Sequence, residues 1–465
     1  MDNFSIFTNE NTCLKSKKNS SGFYDLSCYF FIQLCHLLFF TFFIFFTFVS
    51  CSASANFDNA CDSNSKSFYD TILTKLIIGD STNHCGIPIP NLRNSICNLD
   101  RLSILKPDKG QDVLEELRIQ SSKGVSGSPT ATIGTLSVPA GSFRWSGSVL
   151  APNGKIYGIP YQATSVLILD PETNTIDTGS ISALGAGNKW NGGVLAANGK
   201  IYAIPFASQN VLIIDPENNT FNTSKITGLG LGNKWSTGVL APNGKIYGIP
   251  RASTSVLIID PLTDTADTTT ISGFSAVETS KWSSGVLAPN GKIYGIPFNN
   301  TDSVLIIDPS TNTADTTTIT GLTGSFRWAA GVLAPNGKIY GIPSDTTSVL
   351  IIDPQTNTAD TTTITGLNGL TKWIGGVLAP DGKIYGIPAS GGSVLIIDPV
   401  TNTADVTTLT GLAGTNRWNG STLGLNGKIY AMPFSDTSNS ILVIDPKANG
   451  NFCKSLLESS YINTF

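Results

Sequence analysis

The sequence predicts an all-β chain folded as a seven-bladed β-propeller of four-stranded antiparallel blades, and three observations predict it. All seven tryptophans, Trp145, Trp190, Trp235, Trp282, Trp328, Trp373 and Trp418, stand at the same place in a unit repeating every ~45 to 47 residues, a period that marks propellers and related repeat folds. Each unit divides by its turn chemistry into four short strands. The two ends of the array carry complementary defects, which is what ring closure requires.

Residues 1–27 are polar and include Lys15, Lys17 and Lys18, as expected of a cytoplasmic or n-region ahead of an apolar run. That run, within residues 28–50, approaches the ~20 residues a membrane helix needs and exceeds an ordinary signal-peptide core. It reads as a signal anchor or, given Ala53-Ser54-Ala55 just beyond it, as the core of a cleaved leader. Either reading makes the repeats extracytoplasmic, membrane-anchored or secreted. Residues 56–120 read as a small helical cap, with apolar residues at helical spacing in 67–78 and 111–119, and 121–129 as a linker. Cys61, Cys85, Cys97 and Cys453 form an even set with none inside the repeats, so two disulfides are expected, with Cys453 bonded to one of the other three. Residues 448–465 form a carboxy-terminal tail.

The propeller is expected to occupy 130–447. In the fifth unit GVLAP (331–335) reads as strand A, KIYGIP (338–343) as B, SVLIIDP (348–354) as C and TADTTTIT (358–365) as D. Asn336-Gly337 suits a two-residue type I′ hairpin between A and B, because both residues tolerate positive φ. Asp353-Pro354 turns C into D, with Asp able to accept from its own downstream amides. Before the first unit, TATIGTLSVPAGSFRW (130–145) resembles the end of a unit, a strand D without its blade; the last unit has a strand C with no recognisable D. Residues 131–138 therefore supply the missing strand and lock the first blade to the last.

The motif NGKIYGIP followed by SVLIIDPxTNT resembles kelch-type and YVTN-type propeller repeats over about 145–446. It departs from kelch where Ile342-Pro343 replaces the double glycine and Ala359-Asp360 stands in place of a tryptophan. The resemblance therefore implies a propeller and carries no partner with it.

Charged residues make up 13% of the chain, the net charge is -4 and the pI near 5.3, which argues against nucleic acid as a partner. The two histidines are His36 and His84, so no histidine-based triad, metal site or general base can lie in the repeats. No cofactor or metal is expected. The recurrent Asp-Pro aspartates read as turn formers rather than calcium ligands, and the lysines after each hairpin glycine as their exposed ion-pair partners. The sharper signal is a basic residue directly before every tryptophan: Arg144, Lys189, Lys234, Lys281, Arg327, Lys372 and Arg417. With the seven tryptophans they form a candidate binding ring at the channel mouth for acidic glycans or surface proteins, and the variable B–C loops on the same face supply specificity. A monomeric propeller acting as a binding module is the reading that follows. A carboxylate- or lysine-based lyase or hydrolase is the alternative, and a structural surface protein the third. Sequons at Asn218, Asn222, Asn299 and Asn419 suit an extracytoplasmic chain.

Overall fold

A computed structural model describes residues 127–435 and 439–447. The apolar run at 28–50, the cap at 56–120 and the four cysteines lie outside the described residues. The propeller is present: seven antiparallel sheets of four strands each. In blade 5 strand A spans Trp328–Leu333, B Ile339–Pro343, C Leu350–Asp353 and D Thr358–Asp360, and the other blades repeat these lengths. Each strand A lies against the strands A of both neighbouring blades, and blade 7 against blade 1, so the A strands form the innermost ring. Because each blade is a simple meander, A–B and C–D turns collect on one face, the lower, and B–C and D–A loops on the other, the upper.

The core forms between blades. Val286, Tyr294, Ile296 and Ile306 of blade 4 pack with Trp328, Ile339, Leu350 and Ile352 of blade 5, and equivalent clusters follow around the ring. Strand B is buried throughout, its IYGIP run carrying apolar side chains on both faces as a strand between two blades must. Each such aliphatic or aromatic side chain contributes on the order of 1.5–3 kcal/mol when removed from water.

Closure follows the expected route. The strand Thr130–Thr132 pairs antiparallel with strand C of blade 7, Ala131 opposite Ile444. Leu136 and Val138 continue the seal, with Ile441 N–H donating to the Leu136 carbonyl and Val138 N–H to that of Asn439. Sheet seven is thereby built from both ends of the array, and no unpaired strand C edge remains there.

Three local expectations are corrected. Strand A begins at the tryptophan, three residues earlier than the apolar pattern indicated, and crosses a bulge after it. The A–B connection is not a type I′ turn. Only its glycine has positive φ, 76° at Gly337, and Ala334 pairs with Lys338 across a three-residue Pro-Asn-Gly loop. Proline at the first turn position fixes the negative φ of a type I turn, which the left-handed glycine then completes. Strand D ends at Asp360, because its carboxylate accepts from the N–H groups of Thr362 and Thr363 and turns the chain away from the ladder.

The hairpin asparagine also ties the lower face together. Asn336 Nδ2 donates to the Tyr340 hydroxyl at 3.0 Å and to the carbonyl of Pro399 in the next blade at 3.0 Å. Tyr340 in turn donates to Asn402 Oδ1 of that blade at 2.7 Å. Alongside, lysine and aspartate pairs such as Lys338 with Asp353 at 3.3 Å recur in six blades, half-exposed and of small energetic weight.

Candidate functional site: the upper face

Strand B ends in proline, and the residue that follows it bonds in two directions. In blade 1 the N–H of Tyr161 donates to the Arg144 carbonyl at 2.8 Å, and its own carbonyl accepts from Lys189 N–H of blade 2 at 2.9 Å. The same two bonds recur through Phe206, Arg251, Phe298, Ser344, Ala389 and Phe434, until Arg144 N–H donates back to Phe434 at 2.9 Å. An unbroken circle of backbone hydrogen bonds thus runs around the upper end of the propeller. The basic residue before each tryptophan is a member of it, with both of its peptide groups committed.

Its side chain is committed as well. Lys234 Nζ donates to the carbonyls of Phe206, Ser208 and Gly232, and Lys372 Nζ to those of Ser344, Thr346 and Gly369. Three donors meet three acceptors, and the ammonium joins the B–C loop of one blade to the D–A loop that follows. Lys281 Nζ holds the carbonyls of Ser275 and Glu278, Lys189 Nζ that of Gly187. Arg327 donates to Thr301, Arg417 to Ala413, and Arg144 to Pro139, Ser435 and Asn439. Burial without a carboxylate partner pushes Lys189 and Lys234 down to about 8.

The tryptophans are covered. Trp145, Trp190, Trp235, Trp282, Trp328, Trp373 and Trp418 are each at most 4% exposed. Each indole wedges between two blades and donates from Nε1 to the carbonyl at the end of its own B–C loop, as Trp328 does to Ser348 at 2.8 Å. Six of the seven basic side chains lie near their own indole at 5.6–5.9 Å or, for Arg417, 4.2 Å. The ring positions thus frame the upper face from beneath, and the residues that face outward are their neighbours.

Those neighbours belong to the seven residues after strand B, of which Tyr161, Arg251, Phe298 and Phe434 are partly exposed and Phe206, Ser344 and Ala389 buried, and around much of the ring the seven touch one another. Phe143 meets Phe434 at 5.2 Å between centroids, Phe434 meets Tyr161 at 5.8 Å, and Tyr161 meets Phe206 at 5.5 Å. Arg251 follows, its guanidinium 5.8 Å from the Phe206 ring and 5.2 Å from that of Phe298, and Phe298 meets Phe326 at 5.5 Å. An aromatic arc with one cation in its middle spans blades 7 and 1 to 4, and Phe326 of the next D–A loop ends it. Ser344 and Ala389 leave it open at blades 5 and 6. Further out, the D–A loops present Phe143, Leu231, Val277, Phe326 and Leu370, 40–91% exposed. This arc went unread in the sequence, although its signal was there: the residue after each Ile-Pro or Met-Pro varies among Tyr, Phe, Arg, Ser and Ala while its surroundings repeat.

A cavity of about 570 Å³ opens beside the arc at blade 4, lined by Phe274, Glu278, Lys281, Asp302, Asn300 and Arg327 among others. Glu278 and Asp302 have no counterparts in the other repeats, and they stand near Lys281 and Arg327 respectively. Counted by sequence, the B–C and D–A loops carry nine basic residues, the seven ring cations, Lys225 and Arg251, against the acids Glu278, Asp302, Asp345 and Asp436. The upper face is therefore net positive on an acidic protein.

Of the sequons, Asn218 is exposed in a lower-face turn. Asn222 and Asn299 are half-buried, and Asn222 accepts from the N–H groups of Ser224 and Lys225. Asn419 lies on the innermost strand of blade 7. The Asp-Pro aspartates accept turn amides, as Asp170 does from Glu172 at 3.0 Å and Thr173 at 3.2 Å.

The sequence matches no protein-family model and no curated protein. Among solved structures the propeller is similar to virginiamycin B lyase from Staphylococcus aureus, with a TM-score of 0.56 and 9% identity over 68% of this chain and 99% of that one. A catalytically inactive histidine-to-alanine variant of that lyase, solved with quinupristin, aligns with a TM-score of 0.55 and 10% identity over 68% of this chain and 99% of that one. The extracellular domain assigned to a hybrid two component system of B. thetaiotaomicron aligns with a TM-score of 0.52 and 11% identity over 70% of this chain and 44% of that one. A lyase and an extracellular domain of a two component system are both among these neighbours, and at such identities the likeness is one of fold.

Proposed function

We propose that the chain is an extracytoplasmic binding module whose upper face takes up a ligand carrying acidic groups, an acidic glycan or the acidic surface of a protein. The observation that carries this reading is the concentration of half-exposed aromatic side chains, exposed apolar loop tips and excess positive charge on that one face. Aromatic rings and arginine are the side chains that dominate binding surfaces, since they bring large contact area at low entropic cost. In this reading the seven basic and tryptophan pairs set the shape and field of the face, and the arc above them makes the contacts. Extracytoplasmic placement rests on the apolar run at 28–50 and on cysteines confined to the flanks of the repeats.

A carboxylate enzyme is the second reading, favoured by the meeting of Glu278, Asp302 and Lys281 around one cavity. Against it, a lysine and an arginine stand beside these acids, and the lyase among the structural neighbours is inactivated by loss of a histidine, which the repeats here do not contain. The test is an array of uronate-containing glycans and acidic peptides probed with the full chain and with a Phe143→Ser, Tyr161→Ser, Phe298→Ser, Phe434→Ser variant. Saturable binding that the variant loses while keeping its melting transition is expected. Binding to no member of the array, or equal binding by the variant, refutes the reading.

A further inference from the structure

We propose that Arg251 is a carboxylate-binding site: its guanidinium, held between Phe206 and Phe298 at the mouth of the propeller, forms a bidentate pair with a carboxylate of the ligand. The inference deepens the reading above and rests on it.

Position decides first. The residue after strand B is Tyr161, Phe206, Phe298, Ser344, Ala389 or Phe434 in the other six blades, so the ring geometry accepts aromatic and small uncharged side chains equally and has no need of a cation. A requirement of the fold would recur seven times, and this residue occurs once.

Bonding decides next. Arg144, Arg327 and Arg417 all spend guanidinium donors on nearby carbonyls. The Arg251 side chain has two phenyl rings as partners and the Tyr161 hydroxyl within electrostatic reach, and among the described residues it has neither a hydrogen bond nor a carboxylate. A guanidinium carries five N–H donors in a rigid plane, and burial in part leaves them short of water. Burial pushes its pKa down from the ordinary arginine range, but arginine starts so high that it remains charged. The molecule therefore holds a half-buried, charged, unpaired fork with its orientation set by a ring on each side. That is the arrangement that gains most from an arriving anion, because the desolvation has been met in folding and the geometry is pre-organised.

The chemistry of the anion follows from the fork and its flanks. Two parallel N–H groups match the two oxygens of a carboxylate, and the neighbouring rings offer faces to whatever carries it. A uronic acid residue and a glutamate side chain share that chemistry.

The experiment uses the full chain in three forms, parent, Arg251→Lys and Arg251→Phe, titrated with hexagalacturonate and separately with an acetylated hexaglutamate peptide. Arg251→Phe installs the side chain already present at the same position in blades 2, 4 and 7, so the ring closes as before, and thermal melting checks it. The expected result is binding of at least one probe by the parent, a loss of ten-fold or more in Arg251→Phe, and a weaker, monodentate remnant in Arg251→Lys. The slope of log affinity against log salt should fall by about one in Arg251→Phe. Which probe binds separates sugar from peptide carboxylate. Undiminished binding in Arg251→Phe, with loss only in the four-residue aromatic variant, overturns the role of Arg251 and leaves the upper-face reading standing. Binding by the parent of methyl-esterified hexagalacturonate as tightly as of the free acid overturns the carboxylate. No binding of any kind overturns both.

Discussion

Replacing Asp381 by Asn should stabilise the propeller at neutral pH. In the first five blades the hairpin residue is Asn, and its amide donates both to its own tyrosine and to a proline carbonyl of the next blade; in blade 3 these are Tyr247 at 2.9 Å and Pro309 at 3.0 Å. In blade 6 the residue is Asp381, whose Oδ1 still accepts from Lys383 N–H at 3.1 Å, while Oδ2 accepts from the Tyr385 hydroxyl at 2.7 Å. A carboxylate has no proton to donate onward, so it makes no tether to blade 7, and the tyrosine proton that in the first five blades crosses to the next blade is drawn back into its own. Burial pushes the Asp381 carboxyl above its ordinary range despite those two bonds. The amide restores one hydrogen bond between blades, worth about 0.5–1.5 kcal/mol, and removes a partly desolvated charge, so a gain of ~1–2 kcal/mol is expected. Spread over the roughly 2 cal/mol/K per residue of unfolding entropy, that is a rise in Tm of about 1.5–3 °C. The pH dependence has a definite sign. As pH rises from the ordinary aspartate pKa, the unfolded chain loses this proton before the folded one does, so the folded parent loses stability relative to the variant across that window. Chemical denaturation at pH 4 and pH 7.5 should show a small gap at the lower pH and the full gap at the higher. A variant no more stable than the parent at pH 7.5, or a gap independent of pH, would refute the reasoning.

Two further expectations concern packing and turns. Gly331→Ala places a methyl 2.7 Å from Ile296 Cγ1 and 2.8 Å from Val286 Cγ2 of the preceding blade, and should cost ~1–3 kcal/mol by overpacking, read from urea midpoints. At the blade 7 to blade 1 junction the corresponding residue is Ser148, and there the facing residues are Met432 and Thr422, with the Ser148 and Thr422 hydroxyls 2.6 Å apart. Hydroxyl donors from Thr270, Thr318 and Thr363, more than the backbone amides beside them, pull Asp267, Asp315 and Asp360 down to about 2. Their folded pKa lies below the unfolded one, so the stability they contribute is present above pH ~4 and is lost as pH falls towards ~2. The triple Asn variant should be less stable than the parent at pH 7 and should converge on it in acid; parallel acid limbs would contradict this.

How much of the molecule the chain itself displays depends on whether a feature is repeated. The tryptophan period, the Ile-Pro strand ends and the orphan strand at 130–138 made the propeller and its seam readable, because each is a local pattern copied along the sequence and closure needs only complementary ends. Repetition also indicated a basic residue before each tryptophan, yet not its fate. Lys234 looks like a mouth-lining charge in sequence; in three dimensions the carbonyls of two loops converge on its ammonium, and such convergence has no signature along the chain. The hairpin shows the same limit on a smaller scale, since Asn336 has the sequence signature of a turn former and also serves as a bond between blades. The aromatic arc was decided by tertiary structure alone. Phe434 and Tyr161 are 273 positions apart, and they meet because a closed ring makes the last blade the neighbour of the first. Arg251 is one variable loop residue among many until Phe206 and Phe298 are found on either side of it. Secondary structure is set by neighbours in sequence and so can be read there, whereas a binding surface is set by neighbours in space, which the chain acquires only when its ends close.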